Sequence, residues 1–536
     1  MDKRHFLQRR AMMAARCSLN VARPARVALP ASSRRRADGV RSRARRVPRA
    51  AEADAKAAEA NVAVEDEDDD ELAERKAVSE LVGWCVSKGA QGSGLSVLLP
   101  DGSGRGRGLE ASRDIENGEP VLRLPLEMGI CDYQDGHPAE AWEVMSNAPW
   151  GVRLACRLLQ ERAKGEDSDY APYIALIPES VPGSPLMWTD DEVASLQYPP
   201  AVAEAREMRD AVATWFRKLS AEAPVALAGA DLDAFKSAVS VVHSRTYGVA
   251  SSASGEGYFR ALLPLADLLN HGGDEYPESA SSPANRGGKA NKSPASPKWP
   301  PAGCSDNIAW SELSDEGVIE FAATRAIAPH EEAAMSYGER SNDHFLVYYG
   351  FVPPRNPHDD VVVFADVDHA LSWHMVFHPE LWDVDEAETA VREAAARAAV
   401  REVEKALAET TDGALAASEP RLKVLPGGRC DARLVSAFAA AYAGTEGVEG
   451  VERGAPVAAV DVESAHADIA RRCAELLRAM PTTLAEDVET IKDGESFPPV
   501  SEGARVAAAY RAHKKEVLID AVLALGGEAV KLPDDA

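Results

Sequence analysis

Three short blocks hold the residues that could do chemistry. Arg105-Gly106-Arg107-Gly108-Leu109 sets glycines around a single residue, so a backbone turn there can approach a ligand with no Cβ in the way. Taken alone it reads as a turn between strands, and no helix follows to make it a dinucleotide fingerprint. Leu263-Pro264-Leu265-Ala266-Asp267-Leu268-Leu269-Asn270-His271 is a strand-like apolar run that ends in two side chains able to hydrogen-bond a polar ligand. Met335-Ser336-Tyr337-Gly338-Glu339-Arg340-Ser341-Asn342 runs on to Tyr348-Tyr349-Gly350-Phe351, which adds tyrosine hydroxyls and an aromatic wall. The seven cysteines (Cys17, Cys85, Cys131, Cys156, Cys304, Cys430, Cys473) form no C-x-x-C pair. No Cys/His cluster has zinc spacing, so reduced thiols and no metal site are expected.

The elements that must position these blocks change character along the chain. A helix is predicted over Val78–Lys88 and strands over Leu95–Leu99, Leu109–Ser112 and Pro120–Leu124, with Asn117-Gly118 as a hairpin signal. Residues from about 137 to 240 carry apolar residues at helical spacing in Leu154–Lys164, Asp190–Leu196, Ala201–Leu219 and Leu232–Val241, which makes a helical insertion. Strand texture returns in Ala261–Leu265, Ile308–Glu312, Val318–Ala323 and Ala333–Tyr337. Between them Gly272–Gly303, rich in Gly, Ser, Pro, Asn and Lys, reads as a disordered loop. Beyond the strand Val361–Phe364 the pattern is helical in Asp385–Thr410, Ala432–Ala443, Val462–Met480 and Glu502–Leu525, with Pro481 as a stop.

At 536 residues the chain exceeds one compact core, so two or three folded units are expected. Its longest apolar stretches, such as Ala261–Leu269, fall well short of the roughly 20 residues of a membrane span. The net charge of −27 is uneven. Residues 1–50 hold 14 Arg and Lys3 against Asp2 and Asp38, which makes +13 and leaves −40 for the other 486. An Arg-, Ala- and Ser-rich, acid-poor opening has the composition of an organelle transit peptide. Residues 51–76, with acids at every position from Glu65 to Glu71, read as a disordered acidic linker. The acid-rich remainder argues against a nucleic-acid partner, because polyphosphate would be repelled.

The R-G-R-G-L, A-D-L-L-N-H and S-Y-G…S-N…Y-Y-G-F blocks stand in the order found in SET-domain protein lysine methyltransferases, and the chain resembles their plant Rubisco large-subunit branch. Tyr173-Ile174-Ala175-Leu176-Ile177-Pro178 with Trp188, then Ser244-Arg245, Pro481-Thr482-Thr483-Leu484-Ala485-Glu486-Asp487 and Tyr510-Arg511-Ala512-His513-Lys514-Lys515, are similar to further segments of that branch. The likeness covers roughly residues 77–530 with gaps. It implies an α+β architecture: a β-rich SET fold with a pseudoknot over residues 77–355, interrupted by the helical insertion and the 272–303 loop. A mostly α-helical substrate-binding domain would follow over 356–536.

The resemblance also implies S-adenosylmethionine as cofactor, S-adenosylhomocysteine as product, and a protein substrate bearing the target lysine. Arg105, Gly106, Arg107, Gly108, Arg245, Asn270, His271 and Phe351 would bind the cofactor. Tyr337 would be catalytic and would line a lysine channel with Ser244, Arg245, Asp267 and Tyr349. Asp267 has a second expected role, satisfying backbone donors at the pseudoknot. The substrate would be a plastid protein such as the Rubisco large subunit or fructose-bisphosphate aldolase, in the chloroplast stroma or, alternatively, the mitochondrion. Two readings compete: a protein-histidine methyltransferase, and a non-catalytic SET-fold binding module. Val249, four residues after Arg245, departs from the branch at a substrate-contacting position.

Overall fold

The structure, a computed structural model, describes residues 69–100, 106–133, 137–250, 258–273, 306–311, 313–314, 316–354, 356–382, 386–409, 419–452, 459–492 and 500–526. The expected transit segment 1–50, Arg105 and most of the 272–303 loop lie outside these residues. Helix α1 spans Asp69–Ser87 and so begins inside the stretch expected to be a disordered linker. The cause is its downstream face: Ala77, Val78, Leu81, Trp84 and Cys85, at helical spacing, pack into the core, and the polar residues before them continue the helix.

A sheet of short strands follows, built from β1 (Gln91–Gly92), β2 (Leu95–Leu98), β3 (Gly108–Ala111), β4 (Pro120–Pro125), β8 (Asn270–His271), β9 (Ile308–Trp310), β10 (Val318–Ala323) and β11 (Glu332–Met335). Its order is β1-β4-β10-β9-β11-β3-β2, with β8 also on β11. β10 alternates buried Ile319, Phe321 and Ala323 with half-buried neighbours, the period of a strand with one face in a core. Antiparallel to it, β4 sets Leu124 opposite Ile319 and Leu122 opposite Phe321. The expected hairpin at Asn117-Gly118 does not form. Gly118 makes a turn at φ +79°, but β3 pairs with β2 and β11 while β4 pairs with β1 and β10. Long-range apolar pairing outweighs the local turn signal.

Strands β5 (Ile130–Cys131), β6 (Thr246–Ala250) and β7 (Tyr258–Leu262) form a second sheet in the order β5-β7-β6. The insertion supplies α2 (Trp150–Lys164), α3 (Pro199–Glu222) and α4 (Leu232–Arg245), the last capped by Asp231, which accepts from the Ala234 N–H at 2.8 Å. The C-terminal part is more than helix: β12 (Val361–Phe364) pairs with β13 (Leu422–Leu425) and β13 with β14 (Arg429–Cys430). Around that small sheet stand α5 (Val367–Phe377), α6 (Glu386–Ala408), α7 (Ala432–Glu452), α8 (Ala459–Ala479), α9 (Leu484–Lys492) and α10 (Glu502–Leu525). No described helix is long and apolar enough to cross a membrane. Cys85, Cys131, Cys156, Cys430 and Cys473 are free thiols, and burial pushes Cys131 and Cys430 up to about 11.

Two hydrophobic cores result. The first unites the sheets with α1, α2 and α4. The second unites β12, β13, α7, α8 and α10, but also takes in Trp188, Val193, Leu196, Tyr198, Ala201 and Ala205 from the insertion, and Leu346. The insertion therefore bridges the two. Where they meet, Gly183 and Gly350 pass backbone against backbone: a Cβ on Gly183 would sit 2.0 Å from the Gly350 carbonyl oxygen. Gly350 itself has φ +75°, a conformation that favours glycine. Gly183→Ala should cost on the order of 1–3 kcal/mol by overpacking. An unchanged urea midpoint would show that the backbones can separate freely.

Candidate active site

Strand β8 lies parallel to β11, with Asn270 opposite Ala334 and His271 opposite Met335. This register presents Asn270 to the glycine arm. Its Nδ2 donates to Glu332 Oε1 at 2.8 Å and to the Arg107 carbonyl at 3.3 Å. A Cβ on Gly108 would lie 2.9 Å from that same nitrogen, so the glycine leaves the room the amide occupies. Arg107 turns back to Glu74 on α1 at 3.5 Å. The buried Asn307 clips the edge: its Oδ1 accepts from the Ala334 N–H and its Nδ2 donates to the Glu332 carbonyl, both at 2.9 Å.

Three tyrosine hydroxyls hold the segment ahead of β8. Tyr173 donates to Asp267 Oδ2 at 3.0 Å, Tyr247 to the Ala266 carbonyl at 2.6 Å and Tyr337 to the Leu269 carbonyl at 2.8 Å. Arg245, the last residue of α4, adds Nη1 bonds to the Asp267 carbonyl at 3.0 Å and to its carboxylate at 3.3 Å. Leu265 enters the segment at φ +68°, ψ −45°, a strained γ-turn geometry. Burial drives the Asp267 carboxyl above its usual range and opposes the pull of Arg245. Burial likewise raises the Tyr337 phenol, which stays neutral.

The aromatic wall is one wide turn of helix, Phe345–Tyr349, closed by Gly350. Tyr349 stacks on Tyr337 with ring centres 5.2 Å apart and planes 26° apart, and Phe351 stands edge-on to both. His271 packs between Phe345 and Tyr337 at 4.7 and 5.2 Å, and its Nδ1 accepts the Tyr337 backbone N–H at 3.2 Å. A small cleft alongside is walled by His271, Gly338, Phe345, Pro353, Asn356 and His358.

The chain has counterparts among known proteins. Residues 445–518 match the family model described as Rubisco LSMT substrate-binding. A solved structure, the SET domain of LSMT bound to lysine and AdoHcy, superposes with a TM-score of 0.53 at 17% identity, over 84% of this chain and 90% of that one. The chain shares the SET fold of that structure, and its residues 445–518 are similar to a Rubisco LSMT substrate-binding domain. The Arabidopsis thaliana chloroplastic [fructose-bisphosphate aldolase]-lysine N-methyltransferase is 30% identical over 35% of this chain and 38% of its own length. The Xenopus tropicalis actin-histidine N-methyltransferase is 26% identical over 53% of this chain and 44% of its own. The chain thus spans less than half the length of these curated relatives.

Within the SET fold, Asn270, His271, Tyr337, Tyr349 and Phe351 come together, and Gly108, Arg107, Arg245 and Asp267 border them. Gly106 is exposed at the open end of the glycine arm, and Ser244 is half-buried in the last turn of α4. The Asp267 carboxylate takes a tyrosine hydroxyl and a guanidinium, not the backbone donors expected of it. Glu332, Asn307 and Tyr247 are site-building residues that sequence reasoning missed. The partners of Glu332 and Asn307 lie across parallel pairings of β11, and that of Tyr247 in the segment ahead of β8, so none leaves a local pattern.

Away from the site, His374 of α5 and His378 just past its end approach Asp468 of α8, a set that could hold a metal ion. The Trp382 indole N–H donates to His374 Nδ1 at 2.9 Å, so in the neutral ring the proton sits on Nε2, which faces Asp468 at 3.4 Å. A metal ligand instead donates through its second nitrogen. Asp468 itself is already engaged by His378, Tyr442 and Arg471.

Two histidines brace the aromatic turn as neutral rings. His243 packs between Trp150 and Tyr348, and burial pushes it down to about 4. His344 stacks on Tyr348 and meets Arg340 Nη1 at 3.1 Å; burial and that guanidinium push it down to about 3. The unfolded chain binds these protons near its ordinary value of about 6.5, so stability present above that pH is lost as pH falls toward 4. The thermal midpoint should therefore fall between pH 6.5 and 4, and His344→Gln, which can still accept from Arg340, should flatten the slope. An identical slope in the variant would show that the ring is protonated in the folded state.

Proposed function

We propose that the protein is an S-adenosylmethionine-dependent protein-lysine N-methyltransferase. The observation that carries this is the convergence of the Tyr337 hydroxyl, the Tyr349 and Phe351 rings and the Asn270–His271 strand on one locus. The cofactor fits the residues present: the glycine arm has no Cβ at Gly108, and the buried Arg245 Nε has no hydrogen-bond partner. Asn270 and the Arg105–Gly108 backbone would hold its amino-acid end, with Arg245 toward the carboxylate. The His271 backbone and its cleft would take the adenine, and Phe351 would pack nearby. When bound, the cofactor supplies an electrophilic methyl group.

The chain's own task is placement. Tyr337 spends its hydroxyl proton on the Leu269 carbonyl, which leaves the oxygen lone pairs free to accept an amine N–H and aim its nitrogen. Tyr349, Ser244, Arg245 and Asp267 would line the lysine channel. Burial of the ammonium favours the free amine, whose ordinary value near 10.4 otherwise makes it scarce at neutral pH. The names of the relatives support a plastid protein such as fructose-bisphosphate aldolase or the Rubisco large subunit as substrate. The chloroplast stroma is the proposed compartment, with residues 1–50 as its transit segment.

The larger share of the chain aligned to an actin-histidine enzyme favours one second reading, methylation of a histidine. Labelling a stromal extract with S-adenosylmethionine and mapping the modified residue separates the two. So does pH: the rate at subsaturating substrate should rise from about pH 7 to 9 for a lysine, whereas an imidazole titrating near 6.5 gives a flat profile. Calorimetry of cofactor binding tests the non-catalytic module, which would bind none.

Tyr337→Phe keeps the stacked ring and removes one hydroxyl. Methyl transfer should fall at least about tenfold, equivalent to about 1.4 kcal/mol, while cofactor affinity stays nearly unchanged. Full turnover in the variant would remove Tyr337 from its assigned role.

A further inference from the structure

The aromatic turn that lines the site has two faces. Phe345 and Tyr349 look toward His271 and Tyr337, while Leu346 between them is fully buried in the C-terminal core. Just ahead of the turn, Asn342 and Asp343 are buried as well. Into this junction α10 inserts Lys514, which has no exposed surface. Its Nζ meets Asp343 Oδ1 at 2.8 Å, Asp359 Oδ1 at 2.7 Å and the Asp360 carbonyl at 2.5 Å, between the rings of Tyr198 and Tyr510 at 5.4 and 5.2 Å. Asp359 Oδ1 also accepts the Asn342 backbone N–H at 2.9 Å, and Tyr510 donates its hydroxyl to Asp343. Asn356 Nδ2 ties down the Asn342 side chain at 2.8 Å and the Arg340 carbonyl at 2.7 Å.

We infer that Lys514 is a positioning residue for the active site: through Asp343 and Asp359 it fixes the start of the 342–351 segment and thereby the placement of Tyr349 and Phe351. This rests on the methyltransferase reading for its catalytic consequence, not for its structural one. A lysine with two carboxylates and a carbonyl uses all three of its donors, so the junction has one geometry rather than several. Burial alone would lower the ammonium, but Asp343 and Asp359 outweigh it and hold Lys514 charged. Lys515, the next residue, supplies a control. It is also buried, yet it bonds Asp487 of α9 and Thr482, neither of which hydrogen-bonds to the 342–351 segment.

The test compares Lys514→Met with Lys515→Met in the full chain, at a temperature where both unfold cooperatively well above the assay. Hydrogen exchange should show protection of the 342–351 amides lost in Lys514→Met and kept in Lys515→Met. Methyl transfer should follow, with kcat down at least about tenfold for the first variant only, and cofactor affinity by calorimetry nearly unchanged in both. If Lys514→Met alone does not fold, Lys514→Met with Asp343→Asn keeps the net buried charge at one negative and should show the same local loss. Unchanged 342–351 protection in the Lys514 variants, or equal loss in the Lys515 variant, overturns the inference. A wild-type chain that transfers no methyl group refutes the proposed function and leaves the exchange result to decide the role of Lys514.

Discussion

The site depends on how the chain from Leu265 to Leu269 is held. This segment reaches β8 through a strained turn and a single turn of 3-10 helix, so the Ala266, Asp267 and Leu269 carbonyls have no strand beside them. A buried carbonyl left without a donor costs about 1–3 kcal/mol, and the strained Leu265 adds about 1–3 kcal/mol more. Arg245 and Tyr337 supply donors to the Asp267 and Leu269 carbonyls, and Tyr247 adds a second one to the Ala266 carbonyl, which already accepts the Leu269 N–H. The fold therefore places a tyrosine oxygen at the site for a structural reason, and the same oxygen has lone pairs left over for a ligand.

A second constraint comes from the other side of the molecule. The turn bearing Tyr349 is too short to hold itself, and its inward residue Leu346 is buried by the helices after residue 356. Those helices are therefore part of the site's scaffold as well as a candidate docking surface. Their net acid excess is left to the surface, because the buried acids are matched by buried cations. Asp359, Asp468 and Asp487 are buried and paired with Lys514, His378 and Arg471, and Arg511 and Lys515, so they add little to any external field.

Much of this was legible in the sequence where a local rule sets the outcome. Strand β10 and helix α10 occupy the expected residues, because alternation and capping are properties of a single stretch. The first two blocks meet at β11 because each runs into a strand paired with it, and the third starts on β11 itself. What escaped is non-local. The Asn117-Gly118 turn looked like a hairpin, yet the strands beside it found better apolar partners elsewhere. β13 and β14 lay hidden between helical patterns, since a four-residue and a two-residue strand carry almost no periodicity. Lys514 lay inside the helix predicted over Glu502–Leu525, and only its two carboxylates, 155 and 171 residues away in sequence, make it a buried ion.

The electrostatics of the assembled site bear on what kind of catalyst it can be. Tyr337 is a neutral phenol that donates its hydroxyl hydrogen bond to the Leu269 carbonyl, and Asp267 is committed to Tyr173 and Arg245. His271 Nδ1 is occupied by a backbone N–H, and His243 and His344 are held neutral behind the aromatic wall. None of these groups is poised to take a proton from a substrate. On the proposed reading, the amine has to shed its proton through desolvation on entering the channel, and the protein's contribution is the geometry in which the free base then sits. That places the energetic burden on rigidity, and it accounts for a site built from tyrosine hydroxyls on backbone carbonyls and a buried lysine at its border, with no general base at its centre among the described residues.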